Sequence, residues 1–250
     1  MFVCVSKVGV EGRDFQEYLD VLGFDSNSCF QQSSVKSSIK LPQLTPSSGE
    51  EEMNTSSHPN TLAQLEHLAL ECRNCSLCES RSNVVFGEGS PKARLLFIGE
   101  APDESEDRNA RPFVSEAGDL LDKMIVAMGL KREQVYITNV VKCRPENDRT
   151  PQEEELSICS NYLSEQIQII SPDVIVCLGT VASQSVLKSK TSISQLRGKF
   201  VPHPELKNAN GEAVAVMPTF HPEYLLKSPS EKKHAWEDLQ KVMKRLAQPQ

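Results

Sequence analysis

Short apolar runs alternate along most of the chain with longer segments whose apolar residues recur at helical spacing. An apolar run bounded by turn-forming residues is typical of a buried strand. Four such strands are predicted at 94–99, 134–141, 173–179 and 213–220. Helices are predicted at 117–130, at 150–170 with Thr150 as its N-cap, from Thr180 onward and at 231–247. This alternation predicts an α/β fold, a three-layer sandwich with a four-stranded, mostly parallel central sheet flanked by helices.

The beginning of the chain has a different pattern. Apolar residues at helical spacing predict a short amphipathic helix at 14–24, ended by Gly23. Residues 26–60 contain ten serines, several prolines and an acidic run, a composition that cannot bury enough apolar area to fold. From Thr61, which is expected to cap a helix, the pattern is that of a globular protein. We therefore expect a short N-terminal helical segment (1–25), a disordered Ser/Pro-rich acidic linker (26–60) and one globular domain (61–250).

Composition narrows the possible functions only slightly. The net charge of −7 argues against broad nucleic-acid binding, but residues 1–71 hold four of the 27 basic and ten of the 34 acidic side chains. The remainder is therefore nearly neutral and permits a local basic surface. No apolar run is long enough to span a membrane, and the start of the chain lacks a secretion signal. These features predict a cytoplasmic protein that does not enter membranes.

Eight cysteines in such a chain favour metal binding or catalysis over a disulfide framework. Three of them, Cys72, Cys75 and Cys78, are spaced two residues apart, and two more follow at Cys143 and Cys159. This set suffices for a zinc ion or for an iron–sulfur cluster, and the spacing alone also allows idle thiols. Cysteines expected to play no part are Cys177, within an apolar strand, and Cys4 and Cys29, in weakly patterned sequence.

Polar residues cluster where the predicted strands end. An acidic loop follows the first strand, Asn139 ends the second, and His221 follows the fourth. Because carboxyl ends of parallel strands share one edge of a sheet, these loops are expected to form one site. Each residue also has an ordinary structural interpretation: His221 as a hydrogen-bonded strand-end histidine, and Asn139 as a turn or cap residue. The same holds for the surface-loop histidine His203, the core residue Phe113 and the solvated carboxylates Glu104, Glu106 and Asp107.

Taken together, these motifs resemble a known family. The sequence "GEAP" with an acidic loop ending in "RPFV", then "YITNVVKCRP" and "HPEYLL", plus four cysteines, resembles the iron–sulfur uracil-DNA glycosylases of family four. The resemblance extends from Cys72 to Leu246, and the motifs occur in the family's order. It implies a hydrolase that flips uracil out of DNA, breaks its N-glycosidic bond and starts base-excision repair of DNA damage.

The resemblance also implies a role for individual residues. Phe113 would stack on the extruded base, and the amide of Asn139 would accept from uracil N3–H and donate to O4, which excludes cytosine. His221 would hydrogen-bond uracil O2 and stabilise the departing anion. Glu100 or Glu106 would position the attacking water or offset positive charge on the sugar. The remaining implied positions are the pocket backbone at Glu100, Ala101 and Pro102, and the DNA wedge Leu225.

The cofactor implied by the resemblance is a structural 4Fe-4S cluster held by Cys72, Cys75, Cys143 and Cys159, with Cys78 as a possible substitute ligand. Uracil-containing DNA is the implied partner, bound by a monomer. Basic residues that are candidates for phosphate contacts are Lys142, Arg144, Arg149, Arg197, Lys199 and Lys227.

Two further functions remain open on the sequence. One is a catalytically weak or inactive uracil-DNA binding protein, or a relative that traps its product covalently. The other is a cluster-bearing or zinc-bearing assembly module, which leaves Asn139 and His221 unexplained. The chain also departs from the family at Asp103, Ala110 and Ser115, where glycines are usual. We expect Asp103 to have a negative φ, with its side chain pointing either toward uracil C5 or to solvent.

Overall fold

A computed structural model of the protein describes residues 59–208 and 210–248. Its centre is one sheet of six strands in the order β1-β3-β2-β4-β6-β5, and the four inner strands run parallel. The strands are β1 (Glu88–Gly89), β2 (Leu95–Gly99), β3 (Tyr136–Asn139), β4 (Val174–Leu178), β5 (Val201–Lys207) and β6 (Ala213–Thr219).

The expected count of four mostly parallel strands is wrong, because two antiparallel edge strands were missed. The four predicted strands are β2, β3, β4 and β6, while β1 and β5 pair antiparallel with β3 and β6. β1 has only two residues, and β5 contains Pro202 and Pro204, which cannot donate a ladder hydrogen bond. Proline is tolerated at a sheet edge, so a turn-like composition does not exclude an edge strand.

Helices cover both faces of the sheet. Along β4, Val174, Val176 and Leu178 belong to one core cluster, whereas Ile175 and Cys177 belong to another. The helices, named α1–α9, are Leu62–Leu70, Leu77–Ser80, Glu104–Asn109, Glu116–Ala127, Glu153–Ile170, Thr180–Leu187, Ile193–Leu196, Pro222–Lys227 and Lys232–Leu246. Side chains of α4, α8 and α9 pack on the first face, and those of α5 and α6 on the second, which gives the three expected layers.

Two helix starts test the capping expectations. Thr61 caps α1 as expected, since its hydroxyl accepts from the Gln64 N–H at 3.3 Å. Thr150 does not cap α5: the cap residue is Gln152, whose N–H donates to Glu155 Oε2 at 2.7 Å. Glu155 is held in place by Arg149, so the capping interaction forms two residues later than the sequence pattern indicates.

The expectations for the N-terminal region are not tested. The helix at 14–24 and all but the last two residues of the linker at 26–60 lie outside the described residues. Within the part of the chain that the structure describes, no helix is long and apolar enough to cross a membrane.

Candidate active site and cysteine cluster

The three predicted loops meet at one edge of the sheet. Gly99 at the end of β2 lies beside Asn139 at the end of β3, and Leu178 at the end of β4 lies beside Thr219 at the end of β6. A cleft of about 350 Å³ opens there. Its walls include Glu100, Ala101, Pro102, Asp103, Asp148, Arg149, Gly179, Thr180, His221, Tyr224 and Lys227.

Phe113 is held in an unusual backbone conformation beside His221. Its φ is +51°, in the left-handed region that non-glycine residues rarely adopt. A Cβ at position 118 would overlap the Phe113 carbonyl, so Gly118 permits this close approach. The rings of Phe113 and His221 lie 5.8 Å apart between centroids, inclined by 36°. Such strain at a site is typical of functional positions.

Asn139 is buried and has one unsatisfied oxygen. Its Nδ2 donates to Glu106 Oε2 at 3.2 Å, whereas its Oδ1 has no hydrogen-bond partner among the described residues. A Cβ at position 99 would overlap this oxygen and lie 2.6 Å from Cζ of Phe113, so only Gly99 leaves room between the two side chains. Because a buried acceptor without a partner is costly, Oδ1 is suited to receive a ligand's N–H.

The two candidate carboxylates have different environments. Glu106 is almost fully buried behind Asn139, and desolvation together with the nearby Asp103 raises its pKa to about 8. Glu100 lines the cleft, and burial raises its pKa despite a hydrogen bond from Thr150. Glu100 is therefore accessible from the cleft, whereas Glu106 contacts the buried amide of Asn139.

His221 caps α8 with its own ring. Its Nδ1 accepts from the Glu223 N–H at 3.2 Å, so in the neutral ring the proton resides on Nε2. Burial lowers the pKa of His221 to about 4, which keeps the ring neutral at physiological pH. Gly179 has a φ of +91°, and a Cβ at this position would lie 3.1 Å from Cβ of His221.

The expectation that His203 lies in a surface loop is wrong. It is buried on β5, and its Nδ1 accepts from the N–H groups of Glu205 and Leu206 at 3.1 and 3.0 Å. These bonds satisfy two backbone N–H groups of the edge strand β5. The ring does not line the cleft.

Leu225, the residue expected to act as a DNA wedge, lies in the protein core. The side chain is 0% exposed in the main core cluster, because this face of α8 packs against α4. Its neighbours Tyr224 and Leu226 are 44% and 37% exposed.

One of the six candidate phosphate-binding residues is misassigned. Lys142 is fully buried, and its Nζ donates to Thr138 Oγ1 and to the Asn139 carbonyl, both at 2.7 Å. Arg197 is held by Asp238 at 2.7 Å and covers the ring of Phe220. The remaining four candidates lie at the surface: Arg144, Arg149, Lys199 and Lys227. Of these, Arg149 and Lys227 line the cleft.

Five thiols line a second pocket, which Lys142 also borders. They belong to Cys72, Cys75, Cys78, Cys143 and Cys159, all without a disulfide. Burial raises the pKa of Cys143 to about 11 and opposes thiolate formation in the absence of a bound group. No three of the described His, Cys, Asp and Glu side chains are close enough to hold a single metal ion.

Arg81 is a residue of this pocket that the sequence analysis missed. Its guanidinium donates to Cys143 Sγ at 2.8 Å and to the Cys72 carbonyl at 2.7 Å, joining the two cysteine segments. An arginine three residues after the last cysteine of "CRNCSLC" was the available signal. The sequence also contains a signal for close packing around the candidate active-site cleft. Gly99 and Gly179 stand directly at strand ends, where a Cβ would come too close to neighbouring side chains.

Asp103 has a φ of −87°, negative as expected. Its side chain caps α3 by accepting from the Glu106 N–H at 2.8 Å, and the residue lines the cleft. Ala110 takes over the left-handed position at the end of the same helix, with a φ of +53°.

Comparison with known proteins agrees with this arrangement. A family model for the uracil DNA glycosylase superfamily matches residues 86–240. A type-4 uracil-DNA glycosylase of Sulfurisphaera tokodaii is 42% identical over 188 residues, covering 73% of this chain and 84% of that protein. The type-4 enzyme of Thermotoga maritima is 46% identical over 175 residues (69% and 88%), and a type-5 enzyme of Pyrobaculum aerophilum is 32% identical over 149 residues (54% and 63%). The chain therefore belongs to the uracil-DNA glycosylase superfamily, and within it to the type-4 enzymes.

Proposed function

We propose that this protein is a uracil-DNA glycosylase that extrudes uracil from DNA and hydrolyses its N-glycosidic bond, leaving an abasic site. The observation that carries the proposal is the unpaired, buried Oδ1 of Asn139 beside the ring of Phe113. Uracil presents an N–H at N3, next to two carbonyl oxygens, and its flat ring can stack on an aromatic side chain. The site therefore offers the complementary acceptor and a stacking surface.

Asn139 accounts for rejection of cytosine. With Oδ1 as the open acceptor, uracil N3–H is matched, whereas the bare N3 lone pair of cytosine would face a second lone pair. A site built around a buried hydrogen bond rejects an analogue that lacks the donor by a large factor. The backbone at Glu100, Ala101 and Pro102 completes the wall on the cleft side.

His221 supplies the electrostatic part of the reaction. As the glycosidic bond breaks, negative charge develops on uracil, and a neutral ring with its proton on Nε2 can donate to O2. The ring is pre-oriented, since the Glu223 N–H fixes Nδ1. We assign the positioning of water, or the offsetting of positive charge on the sugar, to Glu100 because it borders the cleft.

The residue that fills the space left by the extruded base is proposed to be Leu226 rather than Leu225. A wedge must reach the DNA, and the burial of Leu225 in the core prevents this without unpacking α8. Leu226, with Tyr224 on the same short helix, presents exposed apolar surface close to His221.

We further propose that Cys72, Cys75, Cys143 and Cys159 hold a 4Fe-4S cluster. The donor set fits, because thiols are the usual ligands of such clusters. These four thiols surround one pocket that also contains two basic side chains, Arg81 and Lys142. When bound, the cluster would supply a cross-link between the chain before β2 and the segment after β3, since hydrolysis needs no electron transfer. Cys78 borders the same pocket and is the one spare thiol.

DNA would lie across the cleft edge and contact the surface cations Arg144, Arg149, Lys199 and Lys227. We propose that residues 61–250 form the glycosylase domain and act as a monomer in a reducing cytoplasm, which free thiols and a cluster require. Steep loss of binding with added salt would support the phosphate contacts.

The test uses the full chain and an oligonucleotide with one uracil. Release of free uracil and formation of an alkali-labile abasic site are expected for the purified wild-type protein. Tight binding of the same oligonucleotide without uracil release would instead identify a binding protein, and a stable protein–DNA adduct would identify a covalent trap. An oligonucleotide with thymine at the same position is the matched control.

A further inference from the structure

The carboxylate of Glu106 is surrounded by hydrogen-bond donors. It accepts from Asn139 Nδ2 at 3.2 Å, and the backbone N–H groups of Phe113 and Asp103 act to lower its pKa. The charged group that raises its pKa is Asp103, whose own carboxylate accepts from the Glu106 N–H. Glu106 is 5% exposed and its carboxylate is occupied by the Asn139 amide, so it is badly placed to reach a substrate water.

This arrangement fixes which end of the Asn139 amide faces the base. A carboxamide has a donor end and an acceptor end, and rotation of its last torsion by 180° exchanges them. An acceptor at Glu106 holds Nδ2, so Oδ1 must point to the other side, toward Gly99 and Phe113. In the rotated state, two oxygens would face each other when Glu106 is ionised, and a donor would face the base.

The rotated amide would be complementary to the wrong base. Its Nδ2 would donate to the N3 lone pair of cytosine, and its Oδ1 would accept from the cytosine amino group. We infer that Glu106 is a positioning residue that sets the choice of uracil over cytosine by locking the amide of Asn139. The inference rests on the proposed glycosylase function, and it assigns to Glu106 a role in base selection in place of contact with the reacting atoms.

Glu106→Gln separates this role from a purely structural one. Glutamine has nearly the same size, and its oxygen can still face the Phe113 and Asp103 N–H groups. The NH₂ of the glutamine then faces Asn139 and donates to its Oδ1. The Asn139 amide therefore rotates, and its Nδ2 turns toward the base. The matched control is Glu104→Gln, a neutralisation on the same helix at a half-exposed position, where the carboxylate forms ion pairs with Arg108 and Arg144.

The experiment measures base selection directly. Oligonucleotides carry a single 2′-fluoroarabino uridine or cytidine, which slow hydrolysis, and their Kd values are compared for the wild type and both variants at about pH 9. At that pH the wild-type carboxylate is ionised, since its pKa is about 8. Uracil release is followed in parallel with the natural nucleotide.

The ratio of the cytosine Kd to the uracil Kd should fall at least tenfold in Glu106→Gln, the scale of one hydrogen bond to a charged group. It should stay unchanged in Glu104→Gln. In an Asn139→Ala background, Glu106→Gln should not change the ratio further, because no amide is left to rotate. Equal weakening of both Kd values in Glu106→Gln, with the ratio preserved, would overturn the inference.

Two outcomes must be kept apart. If the wild-type protein releases no uracil, the proposed function fails, whatever Glu106 does. If the wild type is active and the ratio of the cytosine Kd to the uracil Kd is the same in Glu106→Gln, only the locking role fails. Should Glu106→Gln not fold, Glu106→Ala removes the acceptor without adding a donor, and a smaller fall in the ratio is expected; an unchanged ratio there would equally refute the lock.

Discussion

The low pKa of His221 predicts a loss of stability at acidic pH, and the size of this loss can be calculated. Burial lowers it from 6.5 in the unfolded chain to about 4 in the folded protein. Below pH 6.5 the imidazole of His221 is therefore protonated in the unfolded state, whereas in the folded state it remains neutral down to about pH 4. This contribution to stability is present above pH 6.5 and is lost as the pH falls toward 4.

Between pH 7 and pH 5 the cost amounts to about 2 kcal/mol of unfolding free energy, from the linkage relation with these two pKa values. His221→Gln cannot take up the proton and should lose about 2 kcal/mol less than the wild type over that interval. His203→Gln is the matched control for catalysis, since His203 accepts through Nδ1 from two backbone N–H groups yet lies outside the cleft. Burial lowers the pKa of His203 as well, so this variant should also weaken the pH dependence of stability.

The assay combines NMR titration of the histidine rings with denaturant unfolding and single-turnover kinetics at each pH. His221→Ala should slow uracil release about a hundredfold or more, the scale of losing one preorganised donor. The ratio of wild-type to variant rates should stay constant from pH 7 to pH 5, because the donor remains neutral. A ratio that climbs as the pH falls through 6.5 would show that a cationic imidazole acts, and would refute the reasoning. His203→Gln should leave the rate unchanged.

Three further substitutions test other parts of the site. Cys143→Ala should reduce the iron content from about four per chain and remove the brown colour, and stoichiometric zinc in the wild type would contradict the cluster assignment. Leu226→Ala should slow uracil release from duplex DNA while leaving the melting temperature nearly unchanged, whereas Leu225→Ala should cost about 2–5 kcal/mol of stability because it opens a cavity; the reverse pattern would restore Leu225 as the wedge. Gly99→Ala should abolish uracil release in a protein that still folds, since its Cβ occupies the space between Asn139 Oδ1 and the ring of Phe113, and retained activity would show that the base does not bind there.

The sequence alone determined the parts of the fold that depend on local periodicity. The four parallel strands and the helices α4 and α9 were located within a few residues, because strands buried on both faces read as continuous apolar runs. The placement of the acidic loop, Asn139 and His221 at one edge followed from the same strands, since parallel strands end on one side. The family resemblance supplied the chemistry of each position.

The tertiary structure decided which way individual side chains point. On α8 the choice between Leu225 and Leu226 depends on how the helix is rotated against α4, and on the segment after β3 the burial of Lys142 depends on its bonds to Thr138 and the Asn139 carbonyl. Edge strand β5 exists because β6 offers it a pairing partner, against the turn-like composition of its own residues. Glu106 and Glu100 look alike in the sequence, but only packing places one behind Asn139 and the other on the cleft wall. Neighbouring residues on a helix or loop face different environments, and that choice is set by contacts distant in the chain, which no local pattern records.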